Sequence, residues 1–138
     1  MYKKNTKSSI LKKNIDFFIK KKYANYIWEE YIMMDEFSLC HNAISFLDNG
    51  EITKLILMLD EKVKNGNIED NTGFIKNSIS NIQNTGINKA NITSIRGTIN
   101  HNLFYLVDRT IIDDIYSQNL ESTKAAKMIA KEIRNILI

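Results

Sequence analysis

An all-α fold, a compact bundle of five to seven helices, is predicted for this 138-residue chain by three features of its sequence. Apolar residues recur at helical spacing along most of its length. Pro is absent and Gly occurs only 5 times, too few turn residues for a β-rich chain of this size. The apolar fraction of 43% is that of a globular protein, too high for a disordered one. Isoleucine, common here, has modest helix propensity, but period and missing turn chemistry outweigh it. No internal repeat or composition break divides the chain, so one helical domain is expected over 1–138, led by a lysine-rich segment over 1–22.

The elements follow from the spacing. The Ser8–Ser9 pair can cap a first helix, in which Leu11, Ile15, Phe18 and Ile19 share a face and Lys20, Lys21 and Lys22 suit the negative end. Tyr23, Tyr26, Ile27, Tyr31 and Met34 continue the pattern as a second helix or a bent extension, with Trp28 beside them. Ser38 is a candidate cap for a short helix carrying Ala43, Phe46 and Leu47, which stops at Asn49–Gly50. Ile52, Leu55, Ile56, Leu59 and Val63 give the clearest helical face, closed by Asn65–Gly66. Beyond a polar loop ending at Asn71–Thr72, Ile75, Ile79 and Ile82 form a stripe that Gly86 interrupts. The longest helix is expected to begin near Asn91, lined by Ile92, Ile95, Ile99, Leu103, Leu106 and Val107, with Ile111, Ile112 and Ile115 beyond. Ser122 can cap the last helix, whose face is Ala126, Ile129, Ala130, Ile133, Ile136 and Leu137.

Several function classes are excluded early. The single Cys40 rules out an internal disulfide, and no Cys/His cluster has zinc spacing. No cofactor or metal is expected, and a reducing cytoplasmic setting is the default, the host cytoplasm if the source is viral. The longest apolar runs, Leu55–Leu59 and Leu103–Val107, are far shorter than a membrane span. A signal peptide is not expected from the lysine-rich start. Net charge is +3, unevenly placed: residues 1–22 hold eight lysines against one acid, Asp16, and the remainder holds 11 basic and 15 acidic residues. Lys12, Lys13, Lys20, Lys21 and Lys22 can contact phosphates or an anionic surface; the alternative is a solvated leading helix.

Chemistry is most concentrated in Ser94-Ile-Arg-Gly-Thr-Ile-Asn-His101. Arginine, rare in this chain, suits a phosphate because its charge is permanent and its donors form a fork. Histidine suits proton transfer because its unperturbed pKa, about 6.5, lies near working pH. Together Arg96 and His101 can act on a phosphodiester, the imidazole moving a ribose proton while the guanidinium steadies developing charge. The other reading leaves Arg96 a surface cation and His101 a helix-face residue. Five steps round a regular helix separate the two by about 140°, so they converge only if Arg96 lies at a helix start or a partner subunit completes the site.

The Arg-x4-His spacing, followed by Asn102-Leu103-Phe104 and Val107-Asp108, resembles the HEPN superfamily over residues 90–137. That resemblance implies a small all-α domain, a metal-independent RNA endonuclease of toxin or phage-defence type or a degenerate relative, and a homodimer combining two Arg/His pairs. It places Arg96 at the phosphate and His101 as acid/base, with Asn100 and Asn102 as auxiliary polar groups. Gly97 departs from the family, which often has a polar residue after the arginine.

A second resemblance points elsewhere. The stretch Phe46-Leu-Asp-Asn-Gly-Glu-Ile-Thr-Lys-Leu-Ile-Leu-Met-Leu59, with Tyr26-Ile-Trp28 and Ile111-Ile-Asp-Asp-Ile115, is similar to poxvirus virulence factors of Bcl-like fold. It implies a non-enzymatic module that binds host apoptotic or innate-signalling proteins through an apolar groove or face. A third expectation is a helical adaptor contacting nucleic acid through its N-terminal lysines. The expected partners are thus a second copy of the chain, RNA, or a host protein. Weaker constellations are His41 beside Cys40, which adjacent helix positions point apart, and Asp113–Asp114 and Glu29–Glu30, read as solvated faces.

Overall fold

Six α-helices and one 3-10 turn, with no strand, make up the described part of the protein in this computed structural model, which describes residues 34–138. We number them α1 (Glu36–Ile44), α2 (Asn49–Lys64), α3 (Phe74–Thr85), α4 (Ile92–His101), α5 (Arg109–Ser117) and α6 (Ser122–Asn135), with the 3-10 turn Leu103–Tyr105 between α4 and α5. The all-α bundle is as predicted. The expected helix after Ser8–Ser9, the Tyr23–Tyr31 stripe, and Lys12, Lys13, Lys20, Lys21 and Lys22 lie outside the described residues.

Capping chemistry explains where five of the six described helices begin, α4 having no side-chain cap at Asn91, and where the structure departs from the sequence-based boundaries. α1 is capped by Asp35, whose carboxylate accepts the Ser38 N–H at 2.8 Å; Ser38 is inside the helix rather than its cap. Asn49–Gly50, expected as a stop, instead opens α2. Asp48 accepts the Glu51 N–H at 2.8 Å and Glu51 accepts the Asp48 N–H at 2.9 Å, a reciprocal capping box that satisfies two free donors and outweighs the stop signal. α2 ends where expected, with Gly66 at φ +79°, a left-handed conformation that glycine adopts without strain. α3 begins after Gly73 with no side-chain cap at that position. The Asp70 carboxylate takes its free donors instead, from Ile75 at 3.1 Å and Lys76 at 2.9 Å.

The long helix predicted from Asn91 is two helices. α4 stops at His101, and α5 starts afresh under an Asp108 cap that accepts the Thr110 N–H at 2.9 Å. A continuous apolar period hid this break because Leu103 and Val107 are buried in both arrangements. α6 is capped by Glu121, one residue before Ser122, through the Thr123 and Lys124 N–H groups. These donors hold the Glu121 carboxyl below its ordinary pKa.

The core is largely isoleucine. Ile44, Ile52, Ile56, Ile95, Ile99, Ile112, Ile129 and Ile133, with Leu55 and Leu59, are fully shielded from water, each contributing about 1.5–3 kcal/mol of burial. α4 packs on α1, α2 and α3, and α6 packs on α1 and α5. α4 thus packs, among the described residues, on three helices, and its Thr93, Ser94 and His101 are exposed. Among the described residues, no helix is long and apolar enough to cross a membrane.

Candidate functional site

α4 is amphipathic, and its angular map settles what its polar residues can reach. Ile95, Thr98 and Ile99 face inward and are buried, whereas Thr93, Ser94 and His101 are exposed. Arg96 and Gly97 are half-buried. Arg96 sits in mid-helix, not at a helix start, which closes one of the two routes by which it was expected to meet His101. With about 100° per residue, the exposed ridge runs through Thr93, His101 and Ser94 with Gly97 among them, and Arg96 lies outside it, beyond the buried Asn100.

Gly97 is unexplained by packing or backbone geometry. Its φ is not positive, and a Cβ added there would meet nothing within 4 Å. A mid-helix glycine costs about 0.5–1 kcal/mol relative to alanine, so local stability argues against it. What it leaves is one open backbone position, about 40° from His101 and about 100° from Arg96 around the helix, with Thr93 and the buried Asn100 on the Arg96 side. Arg96 adds a second anomaly: its Nε is buried and has no hydrogen-bond partner. An unmatched buried donor costs about 1–3 kcal/mol, and because this atom is closed to solvent, a ligand arriving from outside would meet the rest of the guanidinium and not Nε.

The two asparagines have structural work instead. Asn100 is buried and its Nδ2 donates to the Phe37 carbonyl at 3.1 Å, tying α4 to the first turn of α1. Asn102 caps the end of α4, its Nδ2 donating to the Thr98 carbonyl at 2.9 Å. Neither is held toward the Gly97 ridge.

Sequence reasoning missed a charged cluster where α1 meets α5. Arg109 lies 3.4 Å from the Glu36 carboxylate and 3.7 Å from that of Asp113, and its guanidinium stacks 4.5 Å over the Phe104 ring. Asp113 is thus engaged rather than merely solvated. Glu36 Oε2 is buried and receives no hydrogen bond. Burial first, then the Asp113 carboxyl beside it, push the Glu36 pKa up to about 7 against the pull of Arg109. A proton on Glu36 lets one carboxyl donate to the other and removes the repulsion between them. The same negative charges, after burial, push the Cys40 thiol up to about 12. With the thiol 2% exposed and protonated, nucleophilic chemistry with the half-buried His41 has no basis.

The raised Glu36 pKa has a consequence for stability. A carboxyl whose folded pKa lies above its unfolded value stabilises fully at pH below the unfolded value of 4.5, and that contribution is lost as pH rises through about 7. Glu36→Gln keeps the shape and removes the titration. Relative to the parent, the variant is expected to gain on the order of 1–2 kcal/mol between pH 4.5 and pH 8. Urea unfolding of both proteins across this range checks it; a parent–variant difference independent of pH would contradict it.

A basic stripe on α6 also went unseen. Lys124, Lys127 and Lys131 are exposed and border a shallow hollow of about 390 Å³. Lys127 lies 5.8 Å from the centre of the exposed Phe46 ring. Arg134, one turn on, is committed to structure, bonding Glu51 at 2.9 Å and the Phe46 carbonyl at 2.7 Å. No group of three or more potential metal-ligating side chains occurs among the described residues. Comparison of the chain with protein-family models, with curated proteins and with solved structures gives no match.

Proposed function

We propose that this protein is a metal-independent RNA endonuclease of HEPN-like type, or a degenerate relative of one, acting at the solvent side of α4. The observation that carries the reading is an open Gly97 position on the same short helix as the exposed His101 and the half-buried Arg96. In this proposal a phosphodiester lies over Gly97, where only a backbone without a side chain lets it approach. Arg96 reaches it from one flank and offsets the charge that builds on the phosphoryl oxygens. His101, from the other flank, takes the proton of the ribose 2′-hydroxyl, and the hydroxyl oxygen attacks phosphorus as the 5′-oxygen leaves.

A homodimer belongs to the proposal. A second copy facing this ridge would enclose the strand and exclude water from the charges, which strengthens them. The test is cleavage of single-stranded RNA in excess chelator by the parent, Arg96→Ala and His101→Ala proteins, purified identically. Cleavage by the parent that both substitutions abolish is the expected result. Intact RNA with the parent, at concentrations where it is dimeric, ends the catalytic reading.

A further inference from the structure

The α4 face that carries His101 leads into a second feature that the cleavage chemistry does not use. Between α3 and α4 lies a hollow of about 340 Å³ whose wall is polar and wholly uncharged. α3 contributes Phe74, Asn77, Ser78 and Asn81, which helical spacing places on one face; α4 contributes Ser94 and Thr98. Ser78 and Thr98 form the floor, 3% and 4% exposed, joined by a 3.3 Å bond in which the Ser78 hydroxyl donates to Thr98. The Thr98 hydroxyl in turn donates to the Ser94 carbonyl at 3.1 Å. Asn77, Asn81 and Ser94 are exposed at the rim, and Phe74 leaves 51% of its surface to water.

We infer that this hollow is a nucleobase subsite for the strand that reaches His101. The inference rests on the RNA-directed reading above for its choice of ligand, but not on cleavage. Three properties point to a base. A wall without ionisable groups suits a neutral ligand, not a phosphate. The amides of Asn77 and Asn81 each offer a donor and an acceptor side by side, the pattern that pairs with the edge of a base. Phe74 supplies an exposed ring at the rim, and stacking of unpaired bases on aromatic side chains is a recurring way proteins hold single-stranded RNA. The volume is at the small end of ligand clefts, enough for one base and too small for a duplex. Position completes the case: His101 is seven residues beyond Ser94, within about 20° of it around α4, so a strand with one base in the hollow continues along the same face to the imidazole.

The experiment compares binding of the full chain to fluorescent single-stranded RNA dodecamers and to an abasic oligonucleotide of equal length and charge, by anisotropy at several salt concentrations. The parent is expected to prefer the base-bearing strands by at least ~10-fold, toward the lower end of the stacking effect of about 1–3 kcal/mol per base. Phe74→Ala should remove most of that preference while leaving the salt dependence unchanged, because phosphate contacts set the salt slope. Asn77→Ala and Asn81→Ala should narrow the differences among dodecamers of different bases. Far-UV circular dichroism of each variant verifies the fold. Equal affinity for the base-bearing and abasic strands overturns the inference, as does a Phe74→Ala protein that keeps the preference. Failure to bind any of the RNA dodecamers overturns it too, as does equal competition by a neutral glucan oligosaccharide. Arg96→Ala and His101→Ala separate the two readings: they should abolish cleavage and leave the base preference intact, so either idea can fail while the other stands.

Discussion

His101→Ala is expected to slow RNA cleavage by ~10²–10⁴-fold, the range over which a positioned acid or base contributes to a reaction. The loss should appear in the rate and not in the fold, because His101 is exposed at the last position of α4. Substitutions at such sites usually change stability by less than about 0.5 kcal/mol. Arg96 differs in kind. A lysine there keeps the positive charge but loses the planar fork that grips two phosphoryl oxygens at once. Arg96→Lys is therefore expected to fall most of the way toward Arg96→Ala, where a purely long-range attraction would spare it. Initial rates on a labelled single strand in chelator separate these outcomes. Parental rates in His101→Ala would remove the imidazole from the mechanism.

The largest expected effect on stability is at Ile99, which is fully shielded and lies on the inward face of the helix that contacts α1, α2 and α3. Ile99→Ala deletes buried methyl groups and leaves a cavity that its neighbours fill only in part. The cost is about 2–5 kcal/mol, a large fraction of the roughly 5–15 kcal/mol that holds a typical domain folded. Ile111, 40% exposed on α5, is the matched control, and its alanine variant is expected to lose less than ~1 kcal/mol. Urea midpoints of the two variants and the parent give the comparison. A loss at Ile99 no larger than that at Ile111 would mean that α4 is not packed as described.

How much of this was readable beforehand depends on where each signal lies. α2 was legible to its end because an unbroken apolar face runs into Asn65–Gly66, and both the period and the stop are local. Its start was misread because Asn49–Gly50 looks like a terminator until Glu51 is seen to return to Asp48. The division of α4 from α5 was hidden for a related reason. A short aspartate cap sits inside a run of residues that are apolar in either arrangement, so periodicity alone passes straight through it. Local patterns of this kind are ambiguous whenever a cap and an apolar stripe overlap.

The candidate chemistry shows the same divide. Arg96 and His101 stood out by rarity and spacing, both visible in a bare sequence. The Arg109 bridge from α5 back to Glu36 joins residues 73 positions apart, and nothing local announces it. Asn100 was read as an auxiliary group, but its partner is a backbone carbonyl on another helix, which no motif specifies. The hollow between α3 and α4 is likewise a product of packing, since neither helix holds it alone. Gly97 changed its meaning most. As a letter in a motif it was a departure; on the folded helix it is a position where an added Cβ would meet nothing within 4 Å.

That position offers the most direct test of the account, through a paired measurement on Gly97→Ala. Alanine strengthens a helix interior, so the thermal midpoint is expected to rise, in line with a gain of roughly 0.5–1 kcal/mol. The added methyl group would at the same time hold the phosphodiester off the ridge, and displacement of about 1 Å can cost on the order of 100-fold in rate. A more stable protein that cleaves RNA far more slowly is the predicted pair of results. A more stable protein with undiminished cleavage would show that nothing reacts over Gly97, and would contradict the account at its centre.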